Sequence, residues 1–460
     1  MKNALNRGRS PALFADLYEF RMACSYQALG MNQSAVFSLF VRKLPQTRNY
    51  LLACGLHPFI DMLERLSFTG PDLEYLASLS EFPQSFLDWL ANFKFSGDVY
   101  ALPEGTPFFA NEPILEIRAP IAEAQLLETL TMNQIGLSTL LASKAARVVS
   151  AASNRPVVDF GSRRAQGFDA ALSGARAFFI AGVSATSNVE AAARFGLVPA
   201  GTMAHSYIEA FESETEAFES FLKTYPETIL LVDTYDTIEG VRRVIDIAQK
   251  LGPNFKARGI RLDSGDLGKL AEQARAMLDQ AGLTSVEIFA SGGLDEHKIE
   301  ALLKGGAPID AFGVGTDLSV SGDSPSLDIA YKITEYTGIG RMKFSAGKAT
   351  LPGAKQVFRT YREGKAASDV IAGAGEDLEG KPLLECVMRN GQRTKPASGL
   401  AEIRSHAQAE IASLPEHLVA LEPAGMPYPV SISRALYDDE IACRARIEIA
   451  NPRKAHSDGE

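Results

Sequence analysis

The middle third of the chain is built from short runs of β-branched and aromatic residues, each followed by polar and glycine-rich sequence. The runs lie at 157–160, 177–180, 197–199, 228–232, 257–262, 286–290 and 309–314. Between several of them apolar residues recur with helical spacing, at 238–251, 267–281 and 295–303. A strand, a helix and two loops in repeating order predict a parallel sheet. No Gly-x-Gly-x-x-Gly turn follows the first run. The pattern therefore favours a β/α barrel over a dinucleotide-binding sheet.

The flanks read differently. Helices are predicted at 16–29, 58–66, 86–93 and 122–150, and strands at 35–41, 50–53, 97–99, 106–109 and 114–117. After about residue 345, two hairpins are predicted, 356–361 with 367–371 and 383–388 with 392–395, then a helix at 399–414. The expected organisation is α/β: an N-terminal α+β domain over 1–150, an irregular β/α barrel over 151–345, and a C-terminal segment, 346–460, that packs back on the first domain. The polar tail, 451–460, is expected to fray.

Charge narrows the partners. The chain has 460 residues, with 46 basic against 56 acidic, a net charge of −10. That excludes the broad basic footprint of a nucleic-acid binder, but a local arginine cluster could still take an anionic small molecule. No apolar stretch approaches the roughly 18 residues of a membrane span, and residues 1–10 lack the apolar core of a secretory signal. Four cysteines, Cys24, Cys54, Cys386 and Cys443, match neither a zinc pattern nor a disulfide framework, so a cytoplasmic protein is expected.

In a barrel, the loops after the strands converge on one mouth. Here they read GSRRAQG (161–167), VSATSN (183–188), GTMAHS (201–206), DTYDT (233–237), DSGD (263–266), SGGLDE (291–296) and GTDLS (315–319). His205 is a candidate for acid–base or nucleophilic work, or a hydrogen-bonded structural histidine. Arg163, Arg164 and Arg261 offer planar forks for phosphate or carboxylate, unless Asp159, Asp233 or Asp263 pairs with them. Asp263 and Asp266 could hold ribose hydroxyls or a hydrated Mg²⁺, and Ser264 and Asp266 could cap the following helix. Gly313, Gly315 and Thr316, beside Ser291, Gly292 and Gly293, stand where barrels bind phosphate. The other histidines, His57, His297, His406, His417 and His456, offer no paired metal spacing, and no metal ligand is assigned. These residues point to an enzyme acting on a phosphorylated, anionic small molecule, with its reaction type open.

Several motifs occur together and in order: DLYEF (16–20), FVRKLP (40–45), DFGSRRAQG (159–167), GTMAHSY (201–207), VDTYDT (232–237), RLDSGDL (261–267), ASGGLDE (290–296), AFGVGTDL (311–318) and MKFSAGKATLPGAKQVFR (342–359). As an ordered set they resemble the nicotinate phosphoribosyltransferases from about residue 11 to 435. The resemblance implies an irregular barrel plus an α/β domain built from both chain ends, and a homodimer with shared active sites. It implies ligation of nicotinate to 5-phosphoribosyl 1-diphosphate, with Mg²⁺ and with ATP as co-substrate. Carried over by motif, His205 would be the phosphorylated histidine and Thr202 would help hold nicotinate. Tyr18, from the partner subunit, and Phe160 would sandwich the pyridine ring. Arg261 would meet its carboxylate. Arg163, Gly315 and Thr316 would hold the 5-phosphate, and Asp263 the ribose hydroxyls.

The nicotinamide-using relatives carry an aspartate where this chain has Ser187, and a serine does not repel nicotinate. Quinolinate-using relatives are much shorter and lack the ATP-linked histidine. The chain departs from the family pattern at Ala185, where Gly is commoner, and at Gly293, where many relatives have Asp, so position 293 offers no carboxylate to the ribose. An inactive metabolite-binding regulator would have lost His205, Arg261 or Asp263, and all three are present. A Schiff-base aldolase would need a strand-end lysine, and Lys256 instead precedes its strand.

Overall fold

The apolar runs of the middle third become the parallel strands Val157–Asp159, Ile229–Leu231, Gly259–Leu262, Glu287–Ala290 and Ala311–Val314. The computed structural model describes residues 11–345 and 347–451. The basic N-terminal decapeptide and the expected frayed tail, except Asn451, lie outside the described residues.

The chain divides into two compact units. One comprises residues up to Thr139 with Ser326–Leu418 and the chain from Pro423; the other comprises Leu140–Pro325 with Val419–Glu422. The sequence placed its boundaries near 150 and 345. The division at 325/326 has a simple cause. The strand Ile329–Tyr336 lies beside Ser34–Val41 over seven residue pairs, from Ala35 with Tyr336 to Val41 with Ile329.

In the second unit the sheet has six strands in the order Ala185–Thr186, Val157–Asp159, Ala311–Val314, Glu287–Ala290, Gly259–Leu262, Ile229–Leu231. All neighbours are parallel. The sheet curls into a half-barrel, with helices after its strands. Its strands are buried on successive residues, as in Ile288–Phe289–Ala290 and Phe312–Gly313–Val314, as expected for strands covered on both faces, with Arg261 the charged exception between Ile260 and Leu262.

Two expected strands are corrected. Residues 177–180 belong to the helix Phe168–Ala181, which ends at Gly182 with φ 117°. Phe178 and Ile180 are the buried end of that helix, and a short apolar run there mimics a strand. The strand lies instead at Ala185–Thr186, inside a segment read as loop. The run at 197–199 contributes only a bridge from Thr186 to Pro199, because proline has no N–H to continue a ladder.

The first unit holds a seven-stranded sheet, in the order Ile339–Gly340, Ile329–Tyr336, Ser34–Val41, Pro113–Pro120, Asp98–Ala101, Glu385–Arg389, Gln392–Arg393, with every neighbour antiparallel. A second sheet has four strands, with the predicted hairpin Lys355–Arg362 and Lys365–Gly373 at its centre. Phe37 stacks on Tyr331 at 5.0 Å between ring centroids, inside a core that also takes Phe20, Phe59 and Phe86. Two helices outside the predicted set, Gly70–Ser78 and Arg434–Ala450, also belong to this unit.

The predicted first helix, Leu17–Ala28, is fixed by a buried acid. Glu19 is fully buried and accepts from the Thr129 hydroxyl, from the Thr129 N–H at 3.1 Å and from the Asp16 N–H at 3.3 Å. Burial pushes its carboxyl up to about 7, against these hydrogen bonds, which pull it down. A raised acid contributes stability that is full below its unfolded value, about 4.3, and is lost as pH climbs through its folded value. Glu19→Gln is therefore expected to remove a fall in unfolding free energy of on the order of 3 kcal/mol between about pH 4.3 and 7. Denaturant titrations of wild type and variant at several pH values check this; parallel profiles would contradict it.

Candidate active site

The carboxyl ends of the parallel strands carry the candidate residues. Arg261 is the third residue of Gly259–Leu262, and its guanidinium is nearly buried, with 11% of the side chain exposed. Nε donates to Ser291 Oγ at 2.9 Å, Nη1 to Thr202 Oγ1 at 2.8 Å and to the Met203 carbonyl at 3.2 Å, and Nη2 to Asp263 Oδ1 at 3.0 Å. The guanidinium carbon lies 5.4 Å from the centre of the Phe160 ring, within cation–π range. One Nη2 N–H has no acceptor among these contacts.

Phe160 follows Val157–Asp159 and packs on Phe289 at 5.7 Å. Gly313 makes this possible: a Cβ there would stand 2.6 Å from the Phe160 ring and 2.8 Å from that of Phe289. The turn after Phe160 is built on Asp159, which is buried and accepts from the Gly161 N–H at 2.8 Å and the Thr186 hydroxyl at 2.7 Å. Burial raises its carboxyl, while these two donors oppose the rise.

Asp263 is the second centre. Besides Arg261 it accepts from the Ser291 hydroxyl at 2.5 Å, and its Oδ2 lies 3.9 Å from His205 Nε2. Burial alone would raise its carboxyl. The Ser291 hydroxyl, Arg261 and His205 outweigh burial and hold it below the usual carboxylate range. Its backbone N–H donates to Asp233 Oδ2 at 3.0 Å, as does the Ser264 hydroxyl at 2.6 Å. Asp233 Oδ1 is buried with no hydrogen-bond partner among the described residues. Gly292, with φ 90°, lets the next loop approach: a Cβ there would stand 1.6 Å from the Asp263 carbonyl.

His205 opens the short helix His205–Glu209 with 40% of its side chain exposed. Its Nδ1 shares a hydrogen bond with Thr234 Oγ1 at 3.1 Å. Arg163 and Arg164 lie exposed in the 3₁₀ turn Ser162–Arg164 and form no ion pair among the described residues. Gly315 precedes the helix Thr316–Val320, and Thr316 is exposed. Asp266 caps Leu267–Gln280, with Oδ1 accepting from the Lys269 N–H at 3.2 Å.

The structure thus brings Phe160, Thr202, Arg261, Asp263 and, through Asp263, His205 into one connected cluster. Tyr18 belongs to the other compact unit, where it is 44% exposed. Burial and the neighbouring Glu128 and Glu19 carboxylates raise its phenol. Thr234 and Thr186 were not singled out in the sequence, although both lie in strand-end segments that were. Among the described residues no group of three or more His, Cys, Asp and Glu could hold a metal ion, and no helix is long and apolar enough to cross a membrane.

Comparison with known proteins decides the family. Three successive stretches match its N-terminal domain (residues 13–136), the nicotinate phosphoribosyltransferase family proper (156–366) and its C-terminal domain (376–440). The chain belongs to the nicotinate phosphoribosyltransferase family. It is 52% identical over 446 residues to the nicotinate phosphoribosyltransferase pncB2 of Mycobacterium tuberculosis, covering 97% of this chain and 96% of that one. It is 41% identical to the nicotinate phosphoribosyltransferase of Bacillus subtilis, over 78% of this chain and 75% of the relative. Human nicotinic acid phosphoribosyltransferase superposes with a TM-score of 0.84 at 26% identity, covering 93% of this chain and 99% of the human one. Family membership accounts for the ordered motifs, and the mixed α/β fold with its curled parallel sheet is the family's fold.

Proposed function

We propose that this chain joins nicotinate to 5-phosphoribosyl 1-diphosphate in NAD biosynthesis, giving nicotinate mononucleotide and diphosphate while ATP and water become ADP and phosphate. The observation that carries the reading is the seat formed by Arg261, Thr202 and Phe160. Its available positions are donors: the remaining Nη2 N–H of Arg261, and the O–H of Thr202, whose oxygen accepts from Arg261 and whose proton makes only a long bond of 3.4 Å to the Met203 carbonyl that it can exchange for a substrate oxygen. A carboxylate is acceptor-only and matches them, whereas an amide would turn an N–H₂ toward donors. Phe160 offers one face for the ring, and Tyr18 of a second copy of the chain would supply the other in a homodimer.

As diphosphate leaves, positive charge builds on the ribose and the pyridine nitrogen attacks with its own lone pair, so no strong base is required. Asp263, held ionised, orients the ribose hydroxyls beside that charge. Arg163, Gly315 and Thr316 hold the 5-phosphate. Mg²⁺ fits the donor set as an ion shared with substrate: a few carboxylates, including the unpartnered Asp233 Oδ1, suit a cation that keeps substrate oxygens and waters. Bound there, it would neutralise charge on the leaving diphosphate. Thr234 holds Nδ1 of His205 and leaves Nε2 open to take the γ-phosphoryl group of ATP, which water then removes.

An omission series tests this. Mononucleotide and diphosphate are expected in equal amounts, and only when nicotinate, phosphoribosyl diphosphate and Mg²⁺ are all present. ATP is expected to raise the yield. Product with quinolinate but not with nicotinate would sink the proposal.

A further inference from the structure

Two motif carboxylates have no part in the site just described: Glu296, which ends SGGLDE, and Asp317, which follows Thr316. Both meet one buried cation. Lys144, on the helix Glu128–Ala151, has 2% of its side chain exposed, and its Nζ lies 2.6 Å from Glu296 Oε2, 2.5 Å from Asp317 Oδ2 and 3.2 Å from Asp323 Oδ1. Glu296 is fully buried and is anchored a second time, its Oε1 accepting from Arg147 Nε at 2.9 Å. Arg147 in turn donates to the Leu421 carbonyl.

We infer that Lys144 is a positioning residue for the substrate's phosphate: its ammonium ties the strand-end segments 291–296 and 315–319, through Glu296 and Asp317, into one body without touching substrate. This rests on the proposed function, in which the second of these segments holds the 5-phosphate. The charges explain why the tie is strong. Three carboxylates surround Lys144, which is 2% exposed, so removing it leaves the fully buried Glu296 with Arg147 alone and sets Asp317 and Asp323 against it with no cation between them. Glu296, held from two sides, is the fixed end. Asp317 is 27% exposed and hangs on Lys144 and the short helix Thr316–Val320, so it is the end that would move. A shift there carries the backbone of Gly315 and Thr316 with it, and misplacement by about 1 Å can cost 10²-fold in rate.

Lys144→Met and Asp317→Asn test the tie, each with a thermal melt, steady-state kinetics and local amide hydrogen exchange. Lys144→Met is expected to speed exchange in both segments, and Asp317→Asn mainly in 315–319. Both are expected to raise KM for phosphoribosyl diphosphate by about 10- to 100-fold. KM for nicotinate should stay within about twofold, a split that a general loss of structure would not give. If Lys144→Met does not fold, the milder Asp317→Asn decides alone. Unchanged KM for phosphoribosyl diphosphate, or equal losses for both substrates, overturns the inference. A wild type that shows no saturation with phosphoribosyl diphosphate overturns it through its premise, a failure recognised before any variant is made.

Discussion

Arg261→Ala is expected to cost about 2–5 kcal/mol of transition-state stabilisation, roughly a 30- to 5000-fold fall in kcat/KM for nicotinate. The loss has two parts. The substrate carboxylate loses its fork, and Asp263 loses the partner that lies 3.0 Å away. Arg261→Lys separates the parts, because a lysine keeps the charge but cannot serve Ser291, Thr202, Met203 and Asp263 from one plane. It is expected to fall between wild type and alanine, with KM for nicotinate moving more than KM for phosphoribosyl diphosphate. Steady-state kinetics with each substrate varied in turn check this, beside a melt to show that the variants fold. An Arg261→Ala enzyme with unchanged KM for nicotinate would place the carboxylate elsewhere.

His205→Ala is expected to remove all label transfer from γ-labelled ATP to the protein and to abolish the ATP-dependent gain in mononucleotide yield. The ring is 40% exposed, so the variant should fold. Glycosyl transfer without ATP should survive at reduced rate, because the alanine leaves Arg261, Phe160 and Thr202 in place. Thr234→Val provides a graded companion: it removes the hydroxyl 3.1 Å from Nδ1 and should slow labelling without eliminating it. Acid-labile phosphate on the alanine variant would put the phosphoryl group on another residue.

Much of this site was legible in the sequence because a buried parallel strand leaves a plain trace. The run 257–262 ends in DSGD, and the structure sets Arg261 and Asp263 at that junction. The same cue failed where geometry, not composition, makes the strand. Ala185–Thr186 has only two residues and no pattern to read, whereas the apolar end of Phe168–Ala181 imitated a strand it does not form. Asp266 shows how two readings can part: the helix uses it as a cap, while Asp263 beside it faces Arg261 and His205. The boundary near 325 was hidden because Ile329–Tyr336 finds its partner strand almost 300 residues earlier. Lys144 was hidden for the same reason. It precedes Glu296 by 152 residues, and no local spacing relates a mid-helix lysine to two loops.

The choice of nicotinate over nicotinamide is the claim on which the proposed chemistry turns, since Arg261 and Thr202 are read as donors to an acceptor-only carboxylate and Ser187 as a residue that does not repel it. A direct competition measures it. The purified full chain is given equal concentrations of both pyridines with limiting 5-phosphoribosyl 1-diphosphate, Mg²⁺ and ATP, and the two mononucleotides are separated by mass. Nicotinate mononucleotide is expected in large excess. Equal amounts, or an excess of nicotinamide mononucleotide, would contradict the account.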